Sequence, residues 1–150
     1  MDLQVAFNGT FFDLDLAGAD LSTDAGLYTA VVISLFTDRR AAAGDVPPGG
    51  AADVRGWWGD SYPAVEGDRI GSRLWLLGRE KSLPEVAGRA KQYAQEALQW
   101  LLDDGLAQAV TVVAEIQDVR TLALSISMTR PTGAVISYRF ANLWEALNAL

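Results

Sequence analysis

With 150 residues, half of them apolar and 21% charged, the chain has the length and balance of one folded domain spanning 1–150. It contains no His and no Cys, which excludes Ser-His-Asp and Cys-His catalysis, the common zinc ligand sets and any disulfide. Its net charge of −7 divides into −8 over residues 1–68 and +1 over residues 69–150; such acidity disfavours nucleic acid as a partner, and no apolar run approaches the ~18 residues of a membrane span.

In chain order, Met1-Asp2-Leu3-Gln4 lacks the charged-then-apolar pattern of a secretory signal, so synthesis in the cytoplasm is expected. Leu3, Val5 and Phe7 alternate with polar or small residues, and Phe12-Asp13-Leu14-Asp15-Leu16 alternates again after Asn8-Gly9-Thr10, which predicts one or two short strands around a turn. Residues 20–24 offer caps for a buried helix over 25–36, in which Leu27, Val31 and Leu35 recur at helical spacing. From Thr37 to Gly71 the chain is punctuated by Gly and Pro, a long irregular segment that carries Trp57 and Trp58 and is a first place to seek function.

Ser82-Leu83-Pro84-Glu85 has capping-box spacing and opens a helix predicted to run unbroken to about Leu102, with Val86, Ala90, Tyr93, Ala97 and Leu101 along one face. Asp103-Asp104-Gly105 ends it, with Gly105 suited to a left-handed cap and the two acids expected to face something basic. Three alternating runs follow, through Val110 to Gln117, Leu122 to Thr129 and Ile136 to Phe140, then Asn142 capping a short helix over 143–150. The class is therefore α+β: a long helix on a small antiparallel sheet, the carboxy-terminal three-strand meander, with an additional amino-terminal helix and a long Gly/Trp-rich loop.

Little chemistry survives the composition. Lys81 and Lys91 sit in no nucleophile motif, and Asp13-x-Asp15 and Asp103-Asp104 lack the further ligands of a calcium or magnesium loop, so no cofactor and no metal is expected. The 67–71 segment has the glycines of a phosphate loop without its Lys, and reads as a turn. Asp60, Glu66, Asp68 and Glu80 lie near Trp57, Trp58 and Trp75 in sequence, which leaves open a glycan-binding or glycan-cleaving module, because sugar rings stack on Trp and paired carboxylates cleave glycosides. The plainer reading makes Asp60 and Asp68, each after a Gly, turn formers and all three Trp core anchors. Arg69 and Arg73 are candidates for ion pairs with the acidic amino-terminal half, within or between subunits.

The same segments resemble a known family. The run from Thr29 to Ala41, Arg55-Gly-Trp-Trp-Gly-Asp60, Gly67-Asp-Arg-Ile-Gly-Ser-Arg-Leu-Trp-Leu-Leu77, Arg79-Glu-Lys81 and the run from Glu96 to Gly105 together are similar, in order and spacing, to baseplate wedge proteins of Mu-like contractile-tailed phages. The resemblance covers roughly residues 20–144. It implies a structural, non-enzymatic part of a virion tail baseplate, assembled in the bacterial host cytoplasm in six copies. Other wedge proteins, the tail sheath protein and the central spike or hub are its implied partners, and an exposed strand edge is implied as the attachment surface for the first sheath ring. Arg55, Trp57, Trp58, Asp60, Arg69, Arg73, Ile136 and Tyr138 are the candidate interface residues. The sequence departs from the broader sheath-initiator group in one respect: Asp103-Asp104-Gly105 stands where that group carries Glu-Pro-Arg, so contacts belonging to that motif are not carried over.

Overall fold

Short alternating strands bury one face only when they pair, and the amino-terminal segment does so by doubling back on itself. In the computed structural model, which describes residues 2–8, 10–17, 20, 21, 23, 24, 27–50, 52–78, 80 and 83–147, this segment holds six short strands. They are β1 (Asp2–Leu3), β2 (Val5–Phe7), β3 (Phe12–Leu14), β4 (Leu16–Ala17), β5 (Asp20–Leu21) and β6 (Thr23–Asp24). Antiparallel pairs join β2 to β3, β4 to β5 and β1 to β6. The expected turn at Asn8 is present, with the Asn8 Oδ1 accepting from the Thr10 and Phe11 N–H groups. The expectation of helix caps at residues 20–24 fails at the four described positions, which lie in β5 and β6, and residues 25 and 26 of the expected helix lie outside the described residues.

Helix α1 (Tyr28–Phe36) follows, with Leu27 at its N-cap and no side-chain cap. Tertiary bonds replace the cap: the Leu27 N–H donates to the Tyr138 hydroxyl at 3.3 Å, and Thr29 Oγ1 accepts from Val5 N–H while donating to the Leu3 carbonyl. The helix contains no charged residue and buries Val31, Val32, Leu35 and Phe36, as a helix apolar on most sides must.

Helix α2 (Pro84–Ala97) buries Val86, Ala90, Tyr93 and Ala97, the face its spacing predicts. Ser82, the proposed capping-box residue, lies outside the described residues, and Leu83 at the N-cap makes no side-chain cap bond. The helix does not continue to Leu102. It stops at Ala97 and a separate turn, α3 (Trp100–Asp103), resumes after Leu98 and Gln99. At the junction the bonds shorten to three-residue spacing, Leu101 N–H to Leu98 carbonyl and Leu102 N–H to Gln99 carbonyl. That tightening superposes residues three apart, so Leu98 and Leu101 both enter the core, at 1% and 0% exposure. Gly105 takes φ +69° beyond α3, the left-handed conformation expected of it. Asp103 accepts from Gln99 Nε2 at 3.0 Å, in place of the basic partner expected there.

The meander comprises β7 (Ala109–Asp118), β8 (Thr121–Thr129) and β9 (Val135–Phe140) in the order β7-β8-β9, antiparallel throughout. Asp118 shapes the first turn by accepting from Arg120 N–H at 2.7 Å and Thr121 Oγ1 at 2.9 Å, bonds that hold its pKa below the usual carboxylate value. The central strand carries the core residues Leu122, Leu124, Ile126 and Met128, each at most 1% exposed; burial of each stabilises by roughly 1.5–3 kcal/mol over leaving it in water. Helix α2 packs on β7, and α4 (Leu143–Leu147) on β8. Asn142 Oδ1 accepts from Trp144 N–H at 3.2 Å, as its cap position predicts; residues 148–150 of the proposed helix lie outside the described residues. The α+β architecture expected from the sequence is therefore present.

Candidate functional site

A long loop rich in Gly and Pro keeps one conformation only if its ends and middle are tied down. Here the ends meet. Asp38 and Ser72 form a parallel bridge, with Ser72 N–H donating to the Thr37 carbonyl and Arg39 N–H to the Ser72 carbonyl, both at 2.9 Å. The Ser72 hydroxyl donates onward to the Leu35 carbonyl at the end of α1. Gly71, at φ +88°, passes so close to Thr37 that a side-chain carbon there would overlap the Thr37 carbonyl.

Above this neck, Trp75 is the anchor. It lies in a 3-10 turn (Leu74–Leu77), is 5% exposed, and donates its Nε1–H to the Arg39 carbonyl at 2.8 Å. Arg55 stacks over it at 4.6 Å from the ring centroid and pairs with Asp38 at 2.6 Å. Its φ of +49° is unusual for a residue with a side chain, and the Asp53 carboxylate supports that conformation by accepting its N–H at 2.9 Å. Arg73 holds the loop to α2: Nη1 donates to both Asp45 oxygens at 3.1 Å, Nη2 to Glu96 at 2.7 Å, and the guanidinium lies 4.6 Å over the Tyr93 ring. Burial of Arg73 works against its charge, and the hydrogen bonds it donates to Glu96 and Asp45 outweigh it, so its pKa stands above the ordinary value. The expected pairing of Arg73 with the acidic amino-terminal half thus occurs within the chain, through Asp45.

What this scaffold presents outward is aromatic. Trp57 is 46% exposed and Trp58 78%, their rings 5.5 Å apart, so these two are not the core anchors of the plainer reading; Trp75 alone of the three fills that role. Both line a cleft of about 230 Å³ with Arg40, Arg55, Asp60 and Arg69. Asp60 accepts from Ile70 N–H through one oxygen, and its other oxygen is buried without a partner among the described residues. The structure therefore gathers Arg55, Trp57, Trp58, Asp60 and Arg69 around one cleft, with Arg73 in the clamp beneath the loop. Ile136 and Tyr138 lie elsewhere, on β9, half-buried opposite Met128 and Ile126 on the helix-facing side of the sheet.

Sequence reasoning missed Asp38, Asp45, Glu96 and Tyr93, the partners that position the loop. Asp45 carries a faint signal as the lone charge in an Ala-Gly run; Asp38 becomes a partner only when the loop folds Arg55 back over its neck, and Glu96 and Tyr93 only when Arg73 is set against α2. The carboxylates proposed for glycan chemistry are spread out: Asp60 lines the small cleft, Glu66 and Asp68 line a larger groove, and Glu80 pairs with Arg89. No group of three or more acids with metal-binding geometry occurs among the described residues, and no helix there is long and apolar enough to cross a membrane.

The family described as Phage protein GP46 matches residues 27–135, a stretch that takes in α1, the Trp loop, both α2 and α3, and the first two strands of the meander. The chain belongs to the phage GP46 family. Baseplate protein gp46 of Escherichia phage Mu is 49% identical over 140 residues, covering 93% of this chain and 94% of that protein. A Mu-like prophage FluMu protein gp46 of Haemophilus influenzae is 40% identical over 144 residues, covering 96% and 98%. The resemblance to Mu-like baseplate proteins carried by the sequence motifs is thus upheld by these relatives. The GP46 match contains Arg55 through Arg73 and stops just short of Ile136 and Tyr138.

Proposed function

We propose that the chain is a structural, non-enzymatic component of a contractile phage or prophage tail baseplate, a single-domain part that joins the wedge and offers an attachment surface to the first sheath ring. The observation that carries this reading is the Trp57–Trp58 pair, exposed on a loop that Trp75, Arg55 and Arg73 hold in place. Aromatic and Arg residues dominate interface energetics, and presenting them on a pre-ordered loop spares the entropy of ordering it during binding. The baseplate name of the Mu relative points the same way. The sheet supplies the second surface, since β7 and β9 are edge strands whose outward backbone groups suit strand addition. Six copies follow from the symmetry of the assembly in which the wedge reading places the chain.

Co-expression with the neighbouring wedge and sheath proteins tests the proposal. The native chain is expected to co-purify with them, and Trp57→Ala with Trp58→Ala to abolish incorporation while the isolated protein melts unchanged. Normal incorporation of the double variant, together with loss of peptidoglycan binding by the isolated protein, would overturn the reading in favour of a glycan-binding module.

A further inference from the structure

A second surface is left unused by the Trp loop. Between the amino-terminal strands, α1, the 67–71 turn and the α2–α3 junction lies an open groove of about 1520 Å³. Small-molecule sites enclose about 300–1,000 Å³, so this groove has room for a stretch of polypeptide. Its lining includes exposed apolar side chains: Leu3, Leu14 and Ile33 are 43%, 46% and 41% exposed. Ile33 is the telling member, because α1 has no charged residue and a helix of that composition belongs in an interior. Its outward side is apolar surface left open.

The rim of the groove is acidic. Glu66, Asp68, Asp103 and Asp104 line it, and none of them is within ion-pair distance of a basic group among the described residues. Arg39, also on the rim, is engaged by Glu96, which leaves Arg69 against four carboxylates. A second copy of this chain would bring a net charge of −7 to a negative rim. We propose that the groove receives a basic amphipathic segment of a partner protein, its apolar side chains over Ile33 and its Lys or Arg residues against the rim carboxylates. The inference rests on the baseplate reading only for where that partner is found.

The test places the photo-crosslinker benzoylphenylalanine at position 33 in the full chain, co-expressed with the other baseplate proteins. The expected product joins position 33 to one segment of a baseplate partner in which Lys or Arg alternate with apolar residues. Asp103→Lys with Asp104→Lys should lower its yield about tenfold, the effect expected of losing rim charge complementarity. Crosslinks to residues 18–26 of the same chain, to a second copy or to an acidic segment overturn the proposal, as does a yield indifferent to charge reversal. Incorporation into the purified assembly is scored in parallel. A chain that incorporates without the position 33 product defeats the groove alone, whereas a chain that never incorporates defeats the baseplate reading and the groove with it.

Discussion

An arginine side chain only 15% exposed has lost most of its hydration, and Arg73 replaces that water with two carboxylates and the face of Tyr93. Removing it leaves Asp45, itself 13% exposed, without its counter-charge. Arg73→Ala is expected to cost about 2–3 kcal/mol in urea unfolding, the scale of hydrogen bonds to charged groups. Arg73→Lys should recover less than half, because one ammonium cannot reach Asp45 and Glu96 with the planar fork's geometry. Gly71→Ala should be worse tolerated than its small volume suggests, destabilising by roughly 1–3 kcal/mol or more through its left-handed backbone and the collision with Thr37; an unchanged melting temperature would refute this. Tyr28 gives a pH signature. Burial, and then the neighbouring Tyr138, raise its pKa, so the fold favours the neutral phenol. That stabilisation is complete below the unfolded value of about 10 and is lost as pH rises through the higher folded value. Urea midpoints should fall on the alkaline side in the native chain and fall less in Tyr28→Phe.

Among the elements, the division between what composition foretells and what it does not follows the range of the forces. The three strands of the meander obey a two-residue alternation that is local, so Val112, Ile126 and Phe140 were readable as inward positions before any tertiary contact was known. The face of α2 was readable for the same reason. Its interruption at Leu98 was not, because the tightened turn satisfies two buried leucines and the bond from Trp100 Nε1 to Ser34 Oγ, a partner 66 residues away. Of the amino-terminal strands the sequence carries only the alternation, because the pairing of β1 with β6 needs the chain to close on itself. In the candidate site, the Trp and Arg residues stood out by type, while exposure separated Trp57 and Trp58 from Trp75 in a way their shared chemistry did not announce. At this scale Leu98→Ala is expected to cost about 2–5 kcal/mol, as for other buried leucines. Backbone exchange should then quicken first at the α2–α3 junction, a pattern that hydrogen exchange would detect or refute.

For the molecule as a whole, the charge is divided between two surfaces. The Trp loop presents arginines beside aromatic rings, and the groove presents carboxylates beside apolar side chains, so adjacent faces carry opposite chemistry. Trp57→Ala and Trp58→Ala should therefore separate stability from assembly. Each changes the unfolding free energy by no more than about 0.5 kcal/mol, as surface substitutions do, while incorporation fails.

The neck at Asp38 and Ser72 carries one more consequence. A loop whose two ends are bonded together has its closure cost fixed at the base, and that cost grows only with the logarithm of length, about 0.6 kcal/mol per doubling. A side-chain carbon at Gly50 would meet no other atom within 4 Å, so that position faces open space. It is thus a natural insertion port: a short epitope tag spliced beside Gly50 should leave the melting temperature within a few degrees of native, giving a handle by which the intact assembly can be lifted from solution.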